Sequence, residues 1–424
     1  MKTKHILFLT TANLATNPRL YKEAQLAVKN GYNITIVQFT LGNWSDEKSK
    51  ILLNELQYPL DRQSVSIIEL DATRKKGLVW FYFTIVEKFS RVLYRFFRKS
   101  LKLTSYGHSR RSAQIVGVLR KVDCDIDFIC AHNLGALYPA CFFGEKRDVP
   151  FIFDIEDYHP GEWIKSDTKF ETLRREQLMI EMLPKAYAVT FASPLIWEET
   201  KALIGEKNNR LILNTFSKND FRYCGTTVRK TELDFVWFSQ NISHGRGLEE
   251  FLDAVPVWLE KNDSAKISLT LIGNMYHDFS DYVKNVVASS PVLINRLKLD
   301  HIPPMSQEKL HKQLNNYDVG LAIEVVNDLN RDLCLTNKLF AYLQSGLFVL
   351  ASNTRAQKDF LFSYEECGFC TELGKLNLVQ AIQQLWNNRE KIRDAKLERI
   401  KHSQELSWEN ESLKIIDLWK QIVQ

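Results

Sequence analysis

The chain has 424 residues, 45% hydrophobic and 25% charged, which is enough for two or three domains with cores of their own. Its 11 prolines and 17 glycines are too few for collagen-like, mucin-like or long linker architectures. Fifty-six basic against 51 acidic side chains give a formal charge of +5, too small over this surface to mark a nucleic-acid binder.

The opening MKTKHILFLTTANL has too short an apolar run for a signal peptide and reads as a first strand, HILFLTTA (5–12), entering a turn. NPRLYKEAQLAVKN (17–30) follows as a helix with Leu20, Ala24 and Ala27 on one face, Gly31 stops it, and YNITIVQF is the next strand. This is a β-α-β unit of a parallel sheet. Further strands are expected at SVSIIEL (64–70), DFICAH (127–132), PFIFDIE (150–156), AYAVTFAS (186–193) and RLILNT (210–215). A second half opens with LDFVWFSQ (233–240), a helix through 247–261 and KISLTLIG (266–273). It continues with PVLINRLKL, a polar helix over 306–316, DVGLAIEV (318–325), a helix over 337–345, LFVLAS (347–352), and helices alone over 381–422. The pattern predicts two doubly wound α/β domains, residues 1–216 and 217–400, with a terminal helical segment over 401–424.

Residues 74–103 carry nine basic side chains against Glu87 alone, interleaved with eight aromatics. Read as one helix, they gather Phe89, Val92, Leu93, Phe96 and Phe97 on one side and Arg91, Arg95, Arg98 and Lys102 on another, a pattern suited to an anionic membrane surface. The apolar run 77–86 is too short to cross a bilayer. Seven cysteines, Cys224 among them, fit a reducing compartment. The CxxC pair Cys367 and Cys370 cannot complete a metal site alone and reads as two partly buried thiols.

Open parallel sheets bind ligands beyond the C-terminal ends of their strands. DVGLAIE ends at Glu324, and the polar stretch after it leads to a helix with Asn337 and Lys338 in its first turn. A cation there opposes the helix dipole, so a bound anion, a diphosphate, would explain it; the plain alternative is a solvent-facing lysine. SQNISHGRGLEE (239–250) opens a helix with Arg246 between two glycines, where a guanidinium can clamp phosphate oxygens or pair with Glu249 or Glu250. His132 ends a strand, and FDIEDYHPGE (153–162) follows another.

NPRLYKEAQLAVKNGYNITIV and TNKLFAYLQSGLFVLAS make the chain resemble the retaining glycosyltransferases of the GT-B fold, family 4, over nearly its whole length. The resemblance implies two Rossmann-like domains facing each other across a cleft, the acceptor against the first and a nucleotide-sugar donor against the second. It implies a final helix, LSWENESLKIIDLW (406–419), crossing back to the first domain. It also implies Glu324 near the donor sugar and Arg246, Asn337 and Lys338 at the donor diphosphate. His132 and either Glu156 or His159 would stand near the transferred sugar, with Asn17 and Arg19 in the acceptor-side loop. The family's second acidic residue, which binds the ribose hydroxyls, falls in register at Ala341; Asp332 keeps the spacing as Glu324-x7-Asp332 without aligning to that position. His244 is the weak stand-in for a second basic residue in the Arg246 loop.

The implied reaction is transfer of a sugar, with retention, from a nucleotide-sugar to a glycan or polyprenyl-linked acceptor in cell-surface polysaccharide synthesis. No cofactor and no obligatory metal are expected, as the resemblance implies. The expected place is the cytoplasm, peripheral on the inner face of the membrane, with no nucleic-acid partner. The alternatives are a non-catalytic sugar-nucleotide or glycan-binding subunit, kept open by Ala341, and a GT-B-like sugar-nucleotide epimerase. A nucleotide-dependent dehydrogenase is set aside, since no GxGxxG follows the first strand.

Overall fold

The computed structural model describes residues 3–57, 64–221 and 231–424. Cys224 and most of the stretch joining the two halves lie outside the described residues. The chain divides into two compact units, Met1–Ile212 with Ser412–Gln424, and Leu213–Glu411.

Among its described residues the first unit holds seven parallel strands: β1 (His5–Thr10), β2 (Asn33–Thr40), β3 (Val65–Asp71), β4 (Phe128–His132), β5 (Phe151–Ile155), β6 (Ala188–Phe191) and β7 (Asn209–Leu211). Their order is β3-β2-β1-β4-β5-β6-β7, so the winding reverses between β1 and β4. β1, β4 and β5 are buried almost end to end, as expected of central strands covered on both faces. The last helix, Trp408–Val423, brings Trp419 against this sheet, edge-on to Phe8 and Tyr32 and tilted on Phe128. That indole is 1% exposed, which makes the end of the chain part of the first unit's core.

Among its described residues the second unit has six parallel strands: β8 (Leu233–Ile242), β9 (Ile267–Met275), β10 (Leu297–Ile302), β11 (Val319–Ala322), β12 (Phe348–Ser352) and β13 (Gly368–Thr371), ordered β10-β9-β8-β11-β12-β13. Its winding reverses between β8 and β11. PVLINRLKL contains a helix, Pro291–Arg296, as well as the start of β10. β13 was not foreseen: four residues beginning with glycine carry no alternation to read, and β13 forms by pairing with β12. It takes in Cys370, while Cys367 just before it is buried.

The basic–aromatic segment differs from the single helix expected. Its helix is Gly77–Tyr94; Phe96, Phe97, Arg98 and Lys99 lie in a turn, and Lys102 belongs to the next helix, Leu101–His108. The break is set by Ser100, whose hydroxyl caps the second helix through the Leu103 N–H at 3.4 Å. Among the described residues no helix is long and apolar enough to cross a membrane.

Candidate functional site

Each sheet brings its chemistry-bearing residues to the strand ends beside its own reversal point, where an open parallel sheet leaves a crevice. In the second unit that point joins the end of β11 to the loop after β8. Gly245 (φ 74°) and Gly247 (φ 85°) turn the loop back, and a Cβ on Gly247 would meet Ile323 at 3.3 Å. The loop therefore lies against the residue next to Glu324 and delivers Arg246 to it, Nη2 standing 3.8 Å from the carboxylate. Ser352, at the end of β12, holds the Glu324 N–H at 2.9 Å and is itself held by Gln357.

Three cations surround that one carboxylate. Lys338 Nζ donates to Oε1, Arg331 Nη1 lies 3.4 Å from Oε2, and Arg246 completes the ring. The buried indole of Trp237 forms the floor, with Lys338 Nζ 4.9 Å and the Arg246 guanidinium 5.8 Å from a ring centroid. Lys338 is buried rather than solvent-facing, so the simplest alternative for it fails; its side chain is 8% exposed against 28% for Arg246 and 36% for Arg331. Burial pushes its ammonium below the usual range, Glu324 opposes that, and Arg246 and Arg331 add to it. The cluster carries two positive charges in excess. The Trp237 Nε1 and Arg246 Nε groups are buried and find no hydrogen-bond partner among the described residues.

Other donor-side residues lie elsewhere. Asp332 is taken by Arg355, which donates its Nε at 2.5 Å and its N–H at 2.8 Å. Asn337 is exposed at the first position of the helix Asn337–Gln344, behind the cap Thr336. Ala341 is fully buried. His244 pairs with Glu249, which leaves Arg246 to Glu324 instead of to its neighbouring acids.

In the first unit the reversal point gathers a closed charge network. Arg19 donates to Asp154 from Nε at 2.7 Å and Nη2 at 2.6 Å, and Thr190 donates to the same carboxylate at 2.5 Å. His132 stands between two carboxylates, Nδ1 at 3.3 Å from Asp154 and Nε2 at 3.4 Å from Glu23. Burial alone would push the imidazole down, but Glu23 and Asp154 reverse this and hold it up at about 10. Arg19 and His132 hold Asp154 well below the usual carboxylate range against its burial. Glu156 is pushed up to about 7 by burial, which Arg19 opposes and Asp157 and Asp154 reinforce.

Asn17 and Arg19, expected as polar groups open to a ligand, are both used inside the fold. Asn17 is 1% exposed and caps the helix Pro18–Lys29 through the Leu20 N–H at 3.1 Å; Arg19 is held by Asp154 and by the Ile212 carbonyl. His159 and Glu156 part company. Glu156 senses Arg19 and His132, whereas His159 pairs with Glu162 at 3.1 Å, within reach of Arg175. Glu23, His132 and Asp154 place ligand atoms within 4.8 Å of one another, a spacing a metal ion could use. The donor set does not fit one: Arg19 already occupies both Asp154 oxygens, and His132 is held as a cation.

Sequence reasoning missed Glu23, Arg331 and Trp237. Glu23 had a signal, since it follows Arg19 by four residues on the same buried face as Leu20 and Ala27. Arg331 lies in a polar stretch of several charges, and nothing in a strand of aromatics singles out Trp237.

No family model matches the chain, and no curated protein matches it in sequence. Solved structures do match it in fold. A glycosyltransferase from Rickettsia africae ESF-5 superposes with a TM-score of 0.65 at 13% identity, covering 100% of both chains. Anabaena Alr3699/HepE in complex with UDP gives a TM-score of 0.65 at 13% identity over 99% of this chain and 100% of that one. Sucrose-phosphate synthase from Thermosynechococcus elongatus gives 0.64 at 13% identity, covering 99% of each. The fold of this chain is that of the GT-B glycosyltransferases.

Proposed function

We propose that the chain is a glycosyltransferase that takes a sugar from a nucleoside-diphosphate donor and passes it to a hydroxyl of a glycan or lipid-linked acceptor, with retention of configuration. The observation that carries the reading is the three cations around Glu324, two of them part-exposed. Their two excess charges match those of a donor diphosphate, and the leaving diphosphate gains more negative charge as the sugar departs. Arg246, Arg331 and Lys338 would stabilise it through preorganised charge, with Glu324 orienting them and the sugar. The fold it shares with glycosyltransferases, one of which holds UDP, supports the same reading. In the first unit, His132 and Glu156 would position acceptor and sugar.

Calorimetry of the full chain against UDP-, GDP-, ADP- and CMP-sugars tests it. One donor should bind, and Arg246→Gln, at a part-exposed position, should weaken it roughly 10- to 100-fold, the value of one charge-assisted contact. Absence of any donor binding by folded protein overturns the reading. The buried Ala341 favours a second reading, a sugar-nucleotide-binding subunit without activity. It predicts donor binding with neither transfer nor donor hydrolysis.

A further inference from the structure

The helix Gly77–Tyr94 has two apolar faces, and the fold uses one. Phe83 and Val86 pack on the cluster of Tyr106, Ala113 and Val116, while Ser90 and Tyr94 are buried beside them. At 100° per residue these positions centre on one side of the helix. Leu78, Phe81, Tyr82, Ile85, Phe89 and Val92 centre on the opposite side, each between 49% and 88% exposed. Phe96 and Phe97, 76% and 60% exposed, extend that stripe into the turn that follows. Exposed apolar residues are ordinary when scattered, but a contiguous stripe of aromatics marks a surface that something covers.

The charges around it say what. Lys75 and Lys76 are exposed at one end, Lys88 and Arg95 along one border, and Lys99 at the other end. The only acid of residues 74–103, Glu87, faces inward and pairs with Arg91. A second copy docked through this stripe would bring lysine against lysine, which disfavours self-association. Nucleic acid would call for cations at the centre, where here there are rings. An apolar centre with a cationic rim fits a bilayer carrying anionic headgroups: rings enter the acyl boundary and lysines meet phosphates. We propose that the outward face of Gly77–Tyr94, with the turn after it, docks the protein on an anionic membrane surface without spanning it. The proposal does not rest on the transferase reading, since vesicle binding and donor binding are measured separately.

Flotation of the full chain with vesicles of mixed phosphatidylcholine and phosphatidylglycerol, against phosphatidylcholine alone, tests it. Binding should require the anionic lipid and fall as salt rises. Phe81→Ser with Phe89→Ser should weaken binding at least about tenfold, and because both rings are exposed the variant keeps its fold, checked by circular dichroism. Lys75→Ser, Lys76→Ser and Lys88→Ser together should weaken it roughly 100-fold, at about fivefold per charge. Failure of wild type to float, or equal binding by wild type and both variants, overturns the proposal. So does a dimer in sedimentation that Phe81→Ser with Phe89→Ser dissolves, since the stripe would then be an interface between copies.

Discussion

Asp154→Asn keeps the shape of the side chain and removes one charge from a network with almost no access to water. Both Arg19 and Asp154 are 3% exposed, and the carboxylate accepts two bonds from the guanidinium and one from Thr190. An asparagine can accept at only one atom. Its amide nitrogen must then face Nε or Nη2 of Arg19, so one bond is lost and a donor pair is opposed, whereas the Thr190 hydroxyl can turn to accept. Breaking a buried pair by removing one partner costs about 3–5 kcal/mol, because the remaining charge stays buried without compensation. Glu156 and Glu23 also attract Arg19, which places the expected loss near the lower end, about 3 kcal/mol.

Hydrogen exchange on peptides of β1, β4 and β5 reads this directly, since these strands report opening of the first unit's core. Their slowest amides should exchange roughly 100-fold faster in the variant, with Asp148→Asn, at an exposed position, as the unchanged control. The pH dependence supplies a second reading. His132 is held at about 10, above its unfolded value, so its contribution is complete below about pH 6.5 and is lost as pH rises through about 10. Without Asp154 one of the two carboxylates raising it is gone, so the loss still begins near pH 6.5 but should be smaller and complete at lower pH. A destabilisation under about 1 kcal/mol, with an unshifted pH profile, would refute the view that this network is balanced around Asp154.

Gly320, in β11, lies so close to Tyr342 that a Cβ would stand 2.2 Å from Cγ of its ring, and Tyr342 is fixed by its bond to the Phe238 N–H at 3.3 Å. Gly320→Ala should cost about 3 kcal/mol or more by urea denaturation followed at the second unit; a change within about 0.5 kcal/mol would show that the ring can move aside. Glu156, pushed up to about 7, should make wild-type stability fall, relative to Glu156→Gln, as pH climbs from about 4.5 through 7, by about 1–3 kcal/mol; parallel profiles would place its carboxyl in the ordinary range.

How far the sequence could be read follows from which signals are local. Among the described residues, twelve of the thirteen strands overlap runs that a two-residue or continuous apolar pattern reveals, PVLINRLKL and RLILNT only in part, because burial acts on each strand separately. β13 exists because β12 offers an edge, a fact outside its own four residues. The helix break after Tyr94 was signalled by Ser100 alone, which a wheel drawn through Lys102 passes over. Glu324, Arg246 and Lys338 were legible because strand-end and helix-start positions are set by local pattern. That they meet is a consequence of β8 lying beside β11, and no local spacing contains it. The same limit explains why Arg19 was read as open to ligand: its partner is 135 residues away.

The two reversal points share a topology and differ in electrostatics, and the difference bears on which of them could take an anion. At the first, two cations answer two carboxylates, and Arg19, Asp154, His132 and Glu23 are all nearly buried. A balanced buried network gains little from a charged ligand, because every new contact breaks one already made. At the second, one carboxylate holds three cations, and the guanidiniums of Arg246 and Arg331 remain part-exposed. Holding like charges together without a ligand is unfavourable, and an anion relieves the repulsion without breaking the Glu324 contacts. On the proposed reading the diphosphate therefore belongs to the second unit.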